Sequence, residues 1–227
     1  MPSPFRKSLF RYLNDLKANN NRDWFQAHKD RYEDEILEPA QIFIQTMQPR
    51  LAKISPQIVA SDRRVGGSLM RIYRDVRFSK DKQPYKTNVG IQFRHVAGKD
   101  VHAPGYYVHI DSDEVFLGAG IWRPPSDALK AVRAKIDGEP KSWKRVRDAS
   151  RFKRSWSLGG DSLKRPPRGY TEEHPLIEDL KRKDLIAVCK LPKSAVTRPD
   201  FVKDVAVRFA DAAGFMRWIA DCHDLPF

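Results

Sequence analysis

The sequence has little cysteine and no long apolar run. Its 227 residues include two cysteines, Cys189 and Cys222, which lie far apart and form no CxxC pair. This usage excludes a disulfide framework and a zinc ribbon. The N-terminal residues lack the apolar core of a signal peptide, and no segment is long and apolar enough to span a membrane. We therefore expect a soluble, cytoplasmic protein without a membrane partner.

The common catalytic and cofactor motifs are also absent. The sequence contains no HExxH zinc motif, Walker A loop, Rossmann glycine fingerprint or GxSxG nucleophile elbow. His109, Asp111 and Asp113 alternate as metal ligands on a strand would. The run DSDE at 111–114 is more typical of a hairpin turn, which favours Asp and Ser. We predict no cofactor and no metal site.

Positive charge is present in excess and is unevenly placed. The 42 Lys and Arg residues exceed the 29 Asp and Glu residues by 13. Residues 63–99 carry 10 basic and 2 acidic side chains, and residues 123–170 carry 14 and 5, whereas residues 100–122 carry no Lys or Arg. Charge of this kind is informative about partners rather than about the fold. The excess in the middle of the chain indicates an anionic partner.

The hydrophobic pattern changes twice along the chain. Residues 1–62 have the spacing of amphipathic helices, residues 66–122 alternate apolar and polar side chains as strands do, and residues 123–227 return to a mainly helical pattern. We predict one domain over residues 1–227 with an α+β fold. Its sheet is predicted as an antiparallel meander of about four or more strands, packed with helices from both the N-terminal and the C-terminal parts.

Four segments share the strand pattern and can be aligned by parity. One predicted face is aliphatic, and the other collects arginines, aromatic residues and three glycines. Glycines inside strands often mark the close approach of a ligand or of another backbone. Two interpretations of this second face stay open: an anion site, or a surface covered by a second helical layer with internal ion pairs. The segments are 69–78, 89–95, 105–111 and 115–122.

The most concentrated charge lies in RIYRDVRFSKDKQPYKTN, residues 71–88. The segment holds six Lys or Arg residues and two Asp residues. Arginine is suited to bidentate contacts with phosphate or carboxylate, and lysine adds a point charge. Asp75, Asp81 and His174 are the acid–base candidates near the basic motifs, but ion pairing to the arginines is the expected role of Asp75. The sequence leaves open whether a reaction follows binding.

Four segments carry a resemblance to a known family. They are LNDLKANNNRDWFQAHKDRYE, RIYRDVRFSKDKQPYKTN, GAGIWRPP and LKRPPRGYTEEHPLIEDLKRK, in this order. Together they resemble the family catalogued as domain of unknown function 2461, and the RDxRFSxDKxPYK pattern is the most specific of them. The resemblance spans nearly the whole chain. It implies a single-domain protein and no particular activity.

The leading hypothesis is a basic site for a phosphorylated or carboxylated small ligand. One alternative is a nucleic-acid-binding module with Trp143, Trp156, Phe152 and Tyr85 stacked on bases. A second alternative is a protein-interaction domain that docks an acidic partner; the oligomeric state is left open. The predicted ligand-binding residues are Arg71, Asp75, Arg77, Ser79, Lys80, Lys82, Tyr85, Lys86, Arg94, Gly118, Gly120, Arg168 and Tyr170.

Overall fold

The computed structural model describes residues 3–98 and 104–227, and it begins with a helical region. Helix α1 buries Leu9, Leu13 and Leu16 on one face, as the sequence spacing predicts. Asn21 caps α2 by accepting a hydrogen bond from the backbone N–H of Trp24. The helices are α1 (Lys7–Ala18), α2 (Arg22–Ala27), α3 (Lys29–Tyr32) and α4 (Glu38–Ile54), with a π-helical turn at Glu33–Leu37 between the last two.

Within the described residues, six strands form one antiparallel sheet in the order β1-β2-β3-β4-β6-β5. Strands β2, β3 and β4 are consecutive hairpin neighbours, so the predicted α+β fold with an antiparallel meander is confirmed. Strand β6 pairs with the other edge of β4, and a mainly helical segment separates these two strands in the chain. The bounds are β1 (Ile58–Val59), β2 (Asn88–His95), β3 (Gly105–Asp111), β4 (Val115–Ile121), β5 (Ser157–Gly159) and β6 (Leu185–Leu191).

One face of the sheet is buried against helices, and we call it the core face. Phe93 on β2 packs against Phe43 of α4, and Tyr106 on β3 stacks on Phe209. Every member of this face is less than a tenth exposed. The alternation therefore predicts the core-facing residues of β2, β3 and β4 correctly. The core face comprises Val89, Ile91, Phe93, Tyr106, Val108, Ile110, Val115, Leu117, Ala119, Ile121, Leu185, Ala187, Cys189 and Leu191.

The C-terminal part supplies the remaining helices and two strands that the sequence interpretation did not predict. Within this mainly helical region, the helix after Pro175 is only four residues long, and the last helical stretch is broken at Ala212. Asp200 precedes that helix but makes no side-chain capping bond. The helices are α5 (Ser126–Gly138), α6 (Pro140–Arg147), α7 (Ser150–Lys153), α8 (Ile177–Leu180), α9 (Phe201–Asp211) and α10 (Ala213–Asp221), with a 3₁₀ turn at Lys193–Ala195.

The strand predicted over residues 69–78 is wrong. Leu69 forms an isolated bridge to Ile91, and the backbone N–H of Met70 donates to the carbonyl of Gly90. Strand β2 begins at Asn88, so the chain beyond Ile72 has no strand left to pair with. It folds back on itself instead, with an isolated bridge between Tyr73 and Tyr85. We call residues 71–86 the basic loop.

The predicted burial of the last residue of segment 69–78, Phe78, is also wrong. In a strand over residues 69–78, Phe78 would share the aliphatic face with Met70 and Ile72, yet its side chain is 94% exposed at the tip of the basic loop. Met70 and Ile72 are half-buried, because they lie where the loop still runs along the edge of β2. Across residues 3–98 and 104–227, no helix is long and apolar enough to cross a membrane.

Candidate functional site on the open face of the sheet

The sheet face opposite the core face holds a cavity of about 330 Å³, and we call this face the open face. The cavity is mostly apolar. Its walls are aromatic on the β3–β4 side and aliphatic on the β6 side, and its volume falls within the range of small-molecule sites. The side chains that line it most directly are Tyr107, Phe116, Trp122, Ile186, Val188 and Met70.

Gly118 forms part of the cavity floor, where it presents only its backbone. A Cβ atom at Gly118 would stand 3.3 Å from the Cβ of Tyr107, with no closer neighbour. Gly120 has a different reason to be glycine. Its φ of +123° is unfavourable for other residues, and a Cβ atom there would meet the carbonyl oxygen of Leu185 at 2.0 Å. A side chain at Gly118 would therefore press on Tyr107 across the sheet, whereas Gly120 is required by the backbone.

A polar chain runs beside the cavity along β3. The Tyr107 hydroxyl lies 3.2 Å from Nδ1 of His109, and Nε2 of His109 lies 3.5 Å from Oδ2 of Asp111. Asn88 also hydrogen-bonds the Tyr107 hydroxyl, and burial raises the pKa of Tyr107 to about 12. The His109 ring stacks on Phe116 with centroids 4.5 Å apart. This arrangement fixes both aromatic walls in place and keeps Tyr107 as a neutral phenol at physiological pH.

Asp111 also forms the hairpin turn that the sequence predicts. Its Oδ1 accepts hydrogen bonds from the backbone N–H groups of Asp113 (2.6 Å) and Glu114 (2.9 Å). These two bonds, together with His109, hold the pKa of Asp111 below its ordinary value in spite of its partial burial. The carboxylate is thus committed to the turn and to His109.

Three cationic side chains lie beside cavity-lining residues in the strand register or along the chain, although none of them lines the cavity itself and Arg94 lines a separate one near Gly66. The strand register places Lys190 opposite Phe116, and Arg94 opposite Gly105, which in turn faces Gly120. Arg94 also donates a hydrogen bond to the carbonyl of Gly66 at 3.3 Å. Arg123 follows β4, and its guanidinium lies 4.6 Å from the centroid of the Trp122 ring. Cations thus lie in the same rows of the sheet as several residues of the apolar lining, and we call Lys190, Arg123 and Arg94 the rim cations.

A buried carboxylate fixes the end of the cavity near Trp122. Asp184, immediately before β6, accepts hydrogen bonds from the backbone N–H of Arg123 at 2.8 Å and of Asp161 at 2.9 Å. Asp184 is less than a tenth exposed, so these bonds satisfy an otherwise costly buried charge. The connection that carries Trp122 and Arg123 is held rigidly against β6.

Most of the predicted anion site lies in the basic loop and not at the cavity. Arg77 makes a two-point ion pair with Asp75, which lowers the pKa of Asp75 to about 2, and both side chains are largely exposed. Lys86 donates to the carbonyl of Arg71, and burial together with the Arg71 charge lowers the pKa of Lys86. The loop residues Arg71, Asp75, Arg77, Ser79, Lys80, Lys82 and Lys86 thus form a group separate from Gly118 and Gly120.

Tyr85 anchors the basic loop instead of presenting its hydroxyl to a ligand. Its ring is 2% exposed and stacks on Phe25 with centroids 4.2 Å apart. Its backbone N–H and carbonyl both bond to the side chain of Asn20. Arg74, which the site prediction omitted, pairs with Asp81 at 2.6 Å and closes the loop across its width.

The segment containing Arg168 and Tyr170 lies at the other side of the sheet. It connects β5 to α8, and Tyr170 packs edge-on against His174, which is 3.1 Å from Asp137 of α5. Strands β3 and β4 separate β2 from β6, which amounts to roughly 15 Å at ordinary strand spacing. Arg168 and Tyr170 do not join the basic loop in one site.

The aromatic residues proposed to stack on nucleic acid are buried. Trp143 is fully buried beside Trp218, and Phe152 and Trp156 are 3% exposed in the core. With Tyr85 also inside, none of these four rings reaches an external base. That version of the nucleic-acid hypothesis is wrong in its stacking residues.

The sequence predictions missed the aromatic cavity because they weighted charge. Tyr107, His109 and Trp122 were placed on the correct face, but the site was centred on the arginines. Ile186 and Val188 were missed with their strand. The usable signal was Gly118, a glycine inside a strand and opposite the large side chain of Tyr107.

The fold defines an α+β protein with an antiparallel sheet that is buried on one face and carries an aromatic cavity on the other. The chain belongs to the family described as "Conserved hypothetical protein (DUF2461)", whose model matches residues 8–218. No curated protein and no solved structure matches the chain.

Proposed function

We propose that the protein binds a small organic anion in the open-face cavity, with a flat apolar body inside and a phosphate or carboxylate at the rim. The observation that carries this proposal is the cavity itself, since its lining is apolar and aromatic. Lys190 and Arg94 lie opposite lining residues in the strand register, and Arg123 lies over Trp122. Burial of a ring-sized body against such walls supplies the main favourable free energy. The charged rim then selects the sign of the polar group.

The three rim cations lie at different places beside the cavity. Lys190 extends from β6 beside Phe116, Arg123 lies over Trp122, and Arg94 lies in the row of Gly105 and Gly120. An anionic group bound there remains close to water, so its desolvation cost is small. An arginine contact with two anion oxygens adds directional specificity.

The experiment is a thermal-shift screen with matched ligands. Aromatic carboxylates and nucleoside monophosphates are compared with their neutral counterparts and with sugar phosphates that lack a flat apolar body. We expect the flat anions to raise the melting temperature, because ligand binding to the folded state stabilises it by mass action. Sugar phosphates and neutral rings are expected to give smaller shifts.

The test variant is Gly118→Val, which fills the cavity floor without placing a residue at positive φ. The matched control is Gly138→Val at the end of α5, where an added Cβ atom meets nothing within 4 Å. We expect the first variant to lose the ligand-induced shift and the second to keep it. The proposal is contradicted if both variants give the same ligand-induced shift. It is also contradicted if anions with and without a flat apolar body raise the melting temperature equally.

A further inference from the structure

The far end of the basic loop presents an unusual combination of side chains. Phe78 is 94% exposed, although burying a phenylalanine side chain is worth about 1.5–3 kcal/mol. Arg77 and Lys80 flank it, and the Arg77 guanidinium lies 5.8 Å from the centroid of its ring. Tyr73, earlier in the same loop, is 53% exposed. Exposed aromatic rings are thus interleaved with cations.

The loop is held open by its own bonds. Lys82 donates to the carbonyl of Val76 at 3.0 Å, Arg74 pairs with Asp81, and Oδ1 of Asp81 accepts the backbone N–H of Gln83 at 2.9 Å. At the base, Lys86 N–H donates to the carbonyl of Ile72 at 2.8 Å. These bonds fix the backbone on both sides of Phe78, so the ring is presented to solvent by a structured loop.

The loop keeps uncompensated positive charge. Residues 71–86 contain six cations and two carboxylates, which leaves a net charge of +4. Both carboxylates are engaged, Asp75 by Arg77 and Asp81 by Arg74. Lys82 and Lys86 bond to neutral carbonyls, so their charge remains available, and each ammonium retains further N–H donors. The partner of this surface must be anionic.

We propose that the basic loop binds single-stranded nucleic acid, with a base stacked on Phe78 and phosphates on Arg71, Lys80 and Lys82. An aromatic ring beside cations is the arrangement that binds single strands with little sequence preference, because every base has a face to stack and every nucleotide a phosphate. The base faces of a duplex are covered by stacking on each other. The carboxylates of an acidic peptide do not stack on the Phe78 ring. This site is separate from the open-face cavity.

The experiment measures the anisotropy of a fluorescein-labelled twelve-nucleotide oligo(dT) titrated with the full-length protein. The same oligonucleotide in duplex with oligo(dA) and a labelled polyglutamate peptide are the competing partners. We expect the single strand to bind most tightly. We also expect log affinity to fall with log salt with a slope of roughly −2, about 0.7 for each of three phosphates.

The variants separate stacking from general charge. Phe78→Ala is expected to weaken binding roughly 5- to 150-fold, the effect of losing one base stack of about 1–3 kcal/mol. Its matched control is Val65→Ala, another apolar side chain that is 90% exposed, and it should change nothing. Lys80→Ala should flatten the salt slope by roughly 0.7, whereas Lys53→Ala on α4, with the same change in net charge, should not.

Two results overturn the inference. One is an affinity that Phe78→Ala leaves unchanged, since the ring then makes no contact with a base. The other is polyglutamate binding as tightly as the single strand, which makes the loop a docking site for acidic protein. Gly118→Val should leave oligonucleotide binding unchanged, so failure here and failure of the cavity proposal are distinguishable.

Discussion

The two faces of the same strands differ in what covers them. Val108 and Leu117 point to the core face and are fully buried by helices, whereas Tyr107, Phe116 and Val188 point to the open face and remain partly exposed. Both faces are largely apolar at the centre of the sheet. Alternation therefore identifies which residues share a face, while the covering layer decides whether that face is core or site.

The largest expected effect compares one valine on each face. Val108→Ala should lower the free energy of unfolding by about 2–3 kcal/mol, because two buried methyl groups are lost and a void remains. Val188→Ala should cost less than about 1 kcal/mol, since its surroundings are already accessible to water. Urea denaturation of both variants measures the difference. Equal losses would show that the open face is covered in solution.

The second expected effect is on alkaline stability. Burial raises the pKa of Tyr107 to about 12, above its ordinary value near 10. The stabilisation linked to this phenol is fully present below pH 10 and is lost as the pH rises through 12, by about 1.4 kcal/mol per pH unit. Tyr107→Phe removes the ionisable group, so its unfolding free energy should fall less steeply over that range.

Other buried tyrosines contribute to the same alkaline transition, and burial also raises the pKa of Tyr32 to about 12. Comparing Tyr107→Phe with Tyr32→Phe separates the open face from the N-terminal helices. Identical pH profiles for Tyr107→Phe and the unsubstituted protein would mean that the Tyr107 phenol is solvated. The open face would then be wetter at its centre than the packing around His109 indicates.

The smallest expected effect lies outside the sheet, at Asp75. Asp75→Asn removes the ion pair with Arg77, but both side chains are exposed, and exposed ion pairs contribute little to stability. The melting temperature should therefore stay close to that of the unsubstituted protein. The ion pair that the sequence predicts for Asp75 is thus present but exposed. A large drop would show that the basic loop packs against a surface in solution.

The sequence predicts β2 and β3 well because their polar and apolar residues contrast, and β4 because glycines at positions 118 and 120 alternate with its apolar core-facing residues. Strand β6 lacks this contrast: Ile186 and Val188 face the cavity and are as apolar as Leu185 and Ala187, which face the core. The alternation of residues 69–78 is as regular as that of the true strands. It failed because pairing depends on a partner, and β2 begins too late to supply one beyond Ile72.

The candidate site was predicted only in part for a related reason. Charge is visible in a sequence, so the arginines and lysines of the basic loop were found. A cavity depends on which side chains are missing and on which distant strand completes the wall. Gly118 was found. Val188 lies opposite Gly118 in the strand register, but helices α5 to α8 separate the two residues in the sequence.

The pairing of β4 with β6 also constrains how the protein is made. Hairpins β2–β3 and β3–β4 have short connections, so they can pair as soon as they are synthesised. The second edge of β4 can pair only after residues 185–191 of β6 have been synthesised. Until then the nascent chain presents an unpaired apolar edge through Leu117, Ala119 and Ile121, the kind of edge that recruits other strands. Chains that stop before β6 should therefore aggregate, and chaperone demand should peak while α5 to α8 leave the ribosome.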